Sequence, residues 1–169
     1  EGRKLIKPFD DLNVIYGQGT AALEVMNEVD TKFDMSVICC SGGGLAAGTG
    51  IVLKNSLSNC QLYTAEPKDW NDHEKSFMQN NIVSIKTKKH GMCDALENPQ
   101  PGEITFRINS ALNTKGLSAD DKYIIEAMKI IYDEFDLIVE PSGAIGLACI
   151  LENKEICQNK KVFTILSGG

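Results

Sequence analysis

Strand-length apolar runs alternate with helical patterns along this chain, and no other feature restricts its possible folds as strongly. Residues 35–40 and 61–66 form two such runs, and residues 46–55 between them have a helical pattern. A strand that is covered on both faces needs a near-continuous apolar run, and alternating strands and helices are typical of parallel sheets. The sequence therefore predicts an α/β fold, with a mostly parallel sheet and helices on both of its faces.

The remaining predicted elements continue this alternation over one domain, residues 1–169. The patterns predict helices at 20–29 with Thr20 as N-cap, from Ser118 onward and at 142–153, and strands at 137–139 and 161–166.

Charge and cysteine usage exclude several classes of partner. The chain has 17 Lys and Arg against 23 Asp and Glu, a net charge of −6, which argues against a nucleic-acid or anionic-membrane surface. No apolar run approaches the roughly 20 residues that a membrane span needs. Cys39 and Cys40 are adjacent and the other four cysteines are scattered, without a C-x-x-C pair, so we expect reduced thiols and a cytoplasmic protein.

The strongest single motif is a glycine-rich turn between the first predicted strand and the helix after it. Its residues are Ser41, Gly42, Gly43, Gly44 and Leu45. Each glycine costs conformational entropy, about 1 kcal/mol relative to Ala, but successive bare N–H groups can converge on an anion beside the positive end of a helix. The turn therefore predicts a phosphate site. A tight turn that simply needs glycine is the alternative, and neither common nucleotide-binding glycine motif is matched.

Polar clusters also follow other predicted strands, where open α/β sheets bind their ligands. Ser167, Gly168 and Gly169 come directly after the last apolar run. Glu66, Asp69 and Asp72 follow the second strand, where carboxylates at this spacing suit a hard cation, although a solvated acidic turn has the same composition. Glu140 begins a Glu-Pro-Ser-Gly segment that helix capping and packing alone would explain.

Taken in order, these segments resemble the fold-type-II pyridoxal-phosphate enzymes, and among them the serine/threonine dehydratases and serine racemases. The likeness covers essentially the whole chain and is carried by VIYGQGT at 14–20, SGGGL at 41–45, TAEP at 64–67, VEPSGA at 139–144 and LSGG at 166–169. Segments PFDD at 8–11, DAL at 94–96 and PGEITF at 101–106 are more similar to the dehydratases. The resemblance implies the large domain of that fold, incomplete at its N-terminal side.

The resemblance also implies roles for individual residues. Residues 41–45 would bind the phosphate of pyridoxal 5'-phosphate, and Ser167 would hydrogen-bond its pyridine nitrogen. A neutral hydroxyl does not enforce a pyridinium, so β-elimination would be favoured over transamination. Several family members hold a divalent cation, Mg²⁺ or Ca²⁺, on a glutamate, a backbone carbonyl and an aspartate, which here fall on Glu66, Trp70 and Asp72.

Two family motifs are missing from these residues: the Ser-Phe-Lys-x-Arg-Gly segment with the Schiff-base lysine, and the Ser-Ser-Gly-Asn-His loop for the substrate carboxylate. We therefore expect a C-terminal portion of a longer enzyme that holds no catalytic residue and is inactive alone. The resemblance implies that the full-length protein is a homo-oligomer that converts L-threonine or L-serine to a 2-oxo acid and ammonia. Ser41 and Ala95 replace family glycines.

Three alternatives stay open at this point. The protein could be a serine racemase with side elimination, or a non-catalytic module that binds the cofactor or a protein partner. It could also be a nucleotide-binding α/β domain. The acidic residue that such domains have about 20 positions after the glycine turn is missing here, which counts against this alternative.

Overall fold

Four parallel strands form the single sheet of the computed structural model, which describes residues 2–3, 5–87 and 89–168. Their order across the sheet is β3-β2-β1-β4. The strands are β1 (Met35–Cys39), β2 (Gln61–Pro67), β3 (Lys115–Ala119) and β4 (Val162–Phe163). Met35 pairs with Gln61 on one side and Val162 on the other. Because all neighbours are parallel, the carboxyl ends of the strands lie at one edge of the sheet.

Seven α-helices connect and cover these strands within the described residues. They are α1 (Leu12–Glu28), α2 (Gly44–Ser56), α3 (Asp72–Gln79), α4 (Glu103–Ala111), α5 (Asp121–Phe135), α6 (Pro141–Glu152) and α7 (Lys154–Cys157), with short 3₁₀ turns at Lys68–Trp70 and Asp94–Leu96. None of the helices in this part of the chain combines the length and apolar character needed to cross a bilayer.

The side chains of β1 alternate between two hydrophobic cores, one on each face of the sheet. Val37 packs with the buried residues of α5 and α6, whereas Ile38 packs with those of α1 and α2. Since successive side chains of a strand point to opposite faces, β1 is covered on both sides and all five of its residues are buried. The predicted α/β fold with a parallel sheet and helices on both faces is therefore confirmed.

Helices α1 and α2 approach each other at two glycines. A Cβ atom added to Gly48 would lie 2.3 Å from the carbonyl oxygen of Ile15, and one added to Gly19 would lie 2.9 Å from that of Gly48. Larger side chains would push the helices apart. Gly19 in the segment at 14–20 is thus a packing residue, which holds α1 against the helix that follows the glycine turn.

Two predicted helix starts are wrong for identifiable reasons. Helix α1 begins at Leu12 rather than after Thr20, because the Asp11 carboxylate accepts hydrogen bonds from the N–H groups of Asn13 and Val14. Thr20 lies within the helix. Ser118 belongs to β3, and the helix predicted to start there begins at Asp121.

Two predicted strands also differ in the structure. Residues 137–139 form no strand, since this segment pairs with no other strand in the described parts of the chain. The strand predicted at 161–166 is reduced to Val162–Phe163, because only these residues pair with β1.

Candidate functional site

A cavity of about 400 Å³ opens at the edge of the sheet where β1 and β4 end. It is lined by the whole glycine turn, Ser41, Gly42, Gly43, Gly44 and Leu45, together with Ser167. The remaining lining residues are Pro8, Phe9, Gln18, Cys39, Ala95 and Leu96. The two groups expected to bind one cofactor, from positions 126 residues apart (167 − 41), thus face one space, and that space is open.

The carbonyl groups of the glycine turn are held by donors from α4 and the residue before it. The carbonyl oxygen of Gly42 accepts hydrogen bonds from the Thr105 hydroxyl at 2.6 Å and the Gly102 N–H at 3.3 Å. The carbonyl oxygen of Gly43 accepts one from the Asn109 side chain at 3.3 Å. These bonds fix the turn from one side.

The N–H groups of the same turn have no partner in the described part of the chain. Across residues 2–3, 5–87 and 89–168, the backbone N–H groups of Ser41 to Ala46 donate no hydrogen bond. Gly43, with a φ of +93°, is the N-cap of α2, so the positive end of the helix adds to these groups. Buried N–H groups are seldom left unpaired in proteins, and a run of them at a helix start is typical of an anion site.

Ser167 lies across the cavity, beside β1. The Cys39 thiol donates a hydrogen bond to the Ser167 hydroxyl, with 3.1 Å between sulfur and oxygen. Burial raises the pKa of the Cys39 thiol, so it stays protonated and able to donate. The Ser167 hydroxyl therefore keeps its own proton available to donate to a group in the cavity.

The segment after Ser167 packs against the start of α6. The N–H of Glu140 donates to the carbonyl of Gly168, and a Cβ atom added to Gly143 would lie 2.5 Å from the same oxygen. The Glu140 carboxylate lies beside Gly168 rather than among the residues that line the cavity. Gly169, the last residue of the predicted motif, lies outside the described residues.

The Pro-Phe-Asp-Asp segment closes one side of the turn. The Phe9 ring lies so close to Gly42 that an added Cβ atom would be 2.2 Å from it. Asp10 accepts a hydrogen bond from the N–H of Ile104 at 2.7 Å and so caps α4. In the sequence this segment shows only a resemblance to a family, whereas in the structure it contacts the glycine turn.

Two of the predicted cation residues, Glu66 and Asp72, form a buried acidic pair that does not line the cavity. Glu66 is fully buried at the end of β2, and its carboxylate accepts hydrogen bonds from the N–H groups of His73 and Glu74, each at 2.8 Å. Asp72 is 1% exposed, and neither of its carboxylate oxygens has a hydrogen-bonding partner among the described residues. Burial raises the pKa of Asp72 to about 7 and that of Glu66 well above its ordinary value.

Trp70 and Asp69 complete the description of this acidic region. Trp70 lies between Glu66 and Asp72 in the sequence and is buried. Its indole N–H donates to the carbonyl of Lys89. Asp69 is exposed and pairs with the Lys89 ammonium at 3.4 Å, so it does not join the buried pair. No cluster of three or more His, Cys, Asp or Glu suited to a metal occurs in the part of the chain that the structure describes. A cation on Glu66, Trp70 and Asp72 therefore stays a prediction.

The cavity lacks a cationic side chain of its own. No lysine or arginine is among its lining residues in the described chain. An anion bound there would be neutralised by amide dipoles and the end of α2, and any amine needed for chemistry would have to come from outside these residues.

Comparison with known proteins gives consistent matches over the full chain. A sequence family described as pyridoxal-phosphate dependent enzyme matches residues 1–168. The serine racemase of Schizosaccharomyces pombe is 34% identical over 169 residues, covering 100% of this chain and 52% of that protein. The L-threo-3-hydroxyaspartate ammonia-lyase of Saccharomyces cerevisiae is 34% identical over 168 residues, covering 99% of this chain and 51% of that protein.

Solved structures support the same grouping. The serine racemase of Dictyostelium discoideum superposes with a TM-score of 0.88 at 38% identity, covering 98% of this chain and 53% of that one. A threonine deaminase from T.th. superposes with a TM-score of 0.92 at 29% identity, covering 99% of this chain and 61% of that one. The chain spans about half the length of the curated relatives it matches.

Proposed function

Since this chain belongs to the pyridoxal-phosphate dependent enzyme family, we propose that the protein carrying it dehydrates and deaminates L-threonine or L-serine to a 2-oxo acid and ammonia. The observation that carries the proposal is the shared cavity, which is lined both by Ser167 and by residues 41–45, whose N–H groups donate no hydrogen bond among the described residues. A phosphate ester joined to an aromatic nitrogen heterocycle matches these two groups of donors.

The glycine turn would hold the phosphate. Among the described residues its N–H groups donate no hydrogen bond, while its carbonyls accept hydrogen bonds from Thr105 and Asn109. The helix that follows the turn begins with positive partial charge. These residues can therefore neutralise a dianion without a cationic side chain. The fit comes from groups that are otherwise left unpaired, so the phosphate would cost the fold no existing hydrogen bond.

Ser167 would hold the pyridine nitrogen. When bound, pyridoxal phosphate supplies an electron sink for the α-carbon of an amino acid. Ser167 offers the ring nitrogen a neutral donor whose orientation is set by the Cys39 thiol at 3.1 Å. No carboxylate among the described cavity residues would enforce a proton on that nitrogen. This favours loss of the β-hydroxyl over transamination, in agreement with a lyase.

Glu66, Asp72 and the backbone carbonyl of Trp70 would hold a divalent cation such as Mg²⁺ or Ca²⁺ in the complete protein. The support is the buried Asp72 carboxylate, whose two oxygens lack a partner in the described chain and whose pKa burial raises to about 7. An oxygen-binding cation would remove that penalty. Because neither Glu66 nor Asp72 lines the cavity, the role of a cation bound to them would be structural.

The chain itself would contribute binding groups only. The cavity has no lysine among its described lining residues, so the base and the covalent anchor would come from elsewhere in the protein. We propose that the complete protein is a cytoplasmic homo-oligomer, as the family resemblance implies, and that these 169 residues alone are inactive.

The test is a comparison of the complete protein with the isolated chain. Both are supplied with pyridoxal phosphate and with L-threonine, L-serine or L-threo-3-hydroxyaspartate, and 2-oxo acid and ammonia are measured. We expect turnover of L-threonine or L-serine by the complete protein and none by the chain, and turnover of L-threo-3-hydroxyaspartate alone would contradict the proposed substrate. Borohydride should attach the cofactor covalently only to the complete protein. Absence of turnover by the complete protein refutes the proposal.

Racemisation of serine is the second candidate, favoured by the 34% identity to the Schizosaccharomyces pombe serine racemase. The same incubation distinguishes the two reactions, because D-serine would accumulate in place of 2-oxo acid. A rate of D-serine formation above that of pyruvate formation would select the racemase.

A further inference from the structure

Thr105 is a fully buried threonine of α4 that contacts the glycine turn from outside the cavity. It is 0% exposed and is not among the residues that line the cavity. A valine of nearly the same shape would fill this space, and a hydroxyl taken out of water costs free energy unless it forms a hydrogen bond. The hydroxyl of Thr105 is therefore to be explained by the groups that it contacts.

Two carbonyl oxygens lie within hydrogen-bond distance of the Thr105 hydroxyl. The oxygen of Gly42 is 2.6 Å away and that of Gly102 is 3.1 Å away. A bond to Gly102, three residues earlier, is a local contact that threonine hydroxyls commonly make. The hydroxyl has one proton to donate, and the shorter distance assigns it to Gly42, which is 63 residues away in the sequence. The bond therefore joins α4 to the glycine turn.

The position of Thr105 is itself fixed by the segment before α1. One carboxylate oxygen of Asp10 accepts hydrogen bonds from the N–H groups of Ile104 at 2.7 Å and of Thr105 at 3.4 Å. The N–H of Gly102 also donates to the Gly42 carbonyl, at 3.3 Å. The start of α4 thus holds this carbonyl with two donors, and removal of the hydroxyl leaves one of them. The turn should then keep its fold, with its carbonyl held less firmly.

The bond at the Gly42 carbonyl also orients the N–H of the next residue. In a planar trans peptide unit the C=O and N–H groups point in opposite directions, so a carbonyl held toward α4 directs the N–H of Gly43 away from α4. Gly43 lines the cavity, and its N–H donates no hydrogen bond among the described residues. Asn109 acts in the same way on the N–H of Gly44, because its amide donates to the Gly43 carbonyl at 3.3 Å.

We propose that Thr105 is a positioning residue for the phosphate site: its hydroxyl holds the Gly42 carbonyl and so keeps the N–H of Gly43 directed at the anion. This inference rests on the proposed function, because the anion is the phosphate of the cofactor. Loss of the bond should weaken binding of the phosphate ester and leave binding of the ring unchanged. A threonine that merely filled space would act through its methyl group, whereas this role belongs to the hydroxyl.

The experiment compares affinities for pyridoxal phosphate and for pyridoxal, which has a hydroxyl in place of the phosphate ester. Both are measured by equilibrium dialysis on the complete protein and on three variants, and melting temperatures record the stability of each. Thr105→Val removes the hydroxyl and keeps the shape, and Thr105→Ser keeps the hydroxyl without the methyl group. Thr164→Val is the matched control, because the Thr164 hydroxyl also donates to a backbone carbonyl, at 2.8 Å, but to that of Val37 in β1 rather than to the turn.

For Thr105→Val we expect pyridoxal phosphate to bind about three- to tenfold more weakly, as the loss of one hydrogen bond that orients the anion site predicts, with pyridoxal unchanged within about twofold. Thr105→Ser should keep the ratio of the two affinities close to that of the wild type. Thr164→Val should lower the melting temperature without changing that ratio.

Several results would overturn the assignment. One is an unchanged ratio of affinities in Thr105→Val, and another is an equal change of that ratio in Thr164→Val. A Thr105→Ser protein that binds pyridoxal phosphate as weakly as Thr105→Val would assign the effect to the methyl group and thus to packing. A wild-type protein that binds no pyridoxal phosphate refutes the proposed function as well and is recognised before any variant is made. If Thr105→Val does not fold, the smaller Thr105→Ala decides through the same ratio.

Discussion

The conformation of Gly43 gives the sharpest perturbation of the glycine turn. Gly43 has a φ of +93°, a region that side chains other than glycine rarely adopt. In Gly43→Ala the new Cβ atom would lie 2.6 Å from the His73 ring and 3.0 Å from the Thr105 hydroxyl, both on fully buried side chains. The substitution therefore strains the backbone and also overfills the space between the turn and these two side chains.

The two effects can be given magnitudes. A side chain in the left-handed region costs about 1–2 kcal/mol, and one extra methyl group in a well-packed site costs about 1–3 kcal/mol. We expect Gly43→Ala to lower the free energy of unfolding by about 2–5 kcal/mol. Gly17→Ala is the matched control: Gly17 is exposed within α1, nothing lies within 4 Å of its added Cβ, and alanine should stabilise the helix by about 0.5–1 kcal/mol.

Urea denaturation of both variants without cofactor measures these energies, and equilibrium dialysis measures their affinity for pyridoxal phosphate. Gly43→Ala should lose both stability and affinity, while Gly17→Ala keeps its affinity and gains stability. If Gly43→Ala were as stable as the wild type and bound the cofactor normally, the turn would have to accept a side chain there. The described contact of Gly43 with His73 and Thr105 would then be wrong.

Three further predictions follow from the buried acidic pair and from Ser167. The pKa of Asp72 is about 7 in the folded chain against 3.8 ordinarily, so the folded state binds more protons than the unfolded state between these pH values. The free energy of unfolding should therefore fall as pH rises from about 4 through 7, by up to about 1.4 kcal/mol per pH unit. Asp72→Asn should flatten this dependence in urea titrations, and an unchanged slope would contradict the assignment. Ca²⁺ or Mg²⁺ should raise the melting temperature more at pH 8 than at pH 5 in the wild type and not in Asp72→Asn; equal shifts in both proteins would exclude a site there. Ser167→Ala should weaken pyridoxal phosphate binding by about 0.5–1.5 kcal/mol. It should cost little stability in the absence of cofactor, because the only partner of the hydroxyl among the described residues is the Cys39 thiol. A loss of stability without a loss of affinity would point to a structural role instead.

The strands that the sequence predicted well are those with apolar side chains on both faces. Residues 35–40 and 61–66 correspond to β1 and β2 within one residue. Strand β3 was not predicted, because Lys-Gly-Leu-Ser-Ala at 115–119 lacks an apolar pattern and lies at the edge of the sheet, held there by its backbone pairing with β2. Residues 137–139 have the opposite property, an apolar composition with Leu137 and Ile138 exposed.

Helices α3 and α4 were missed for a reason that concerns the site. Their buried faces are polar, with His73 and Ser76 on α3 and Thr105 and Asn109 on α4. A search for apolar residues at helical spacing has no signal on such a face. These side chains are buried because they bind or contact the backbone of neighbouring turns, a reason that appears only once the chain is folded.

The candidate site could be predicted in part. A glycine turn after one parallel strand and a serine after another can be expected to meet, because parallel strands end at a common edge, and the structure brings Ser41 to Leu45 and Ser167 to one cavity. The contacts of Phe9 with Gly42 and of Cys39 with Ser167 join segments far apart in sequence, and no local pattern indicates them. No local pattern indicates His73 either, because its contact with Gly43 depends on the packing of α3.

The central claim is that the N–H groups of residues 41–45 receive a phosphate whose attached ring reaches Ser167. A crystal structure of the protein with pyridoxal phosphate tests it most directly. We predict phosphate oxygens at hydrogen-bond distance, about 2.7–3.2 Å, from several of these N–H groups, with the pyridine nitrogen at similar distance from the Ser167 hydroxyl. A phosphate bound elsewhere, or a ring whose nitrogen faces away from Ser167, would contradict the account.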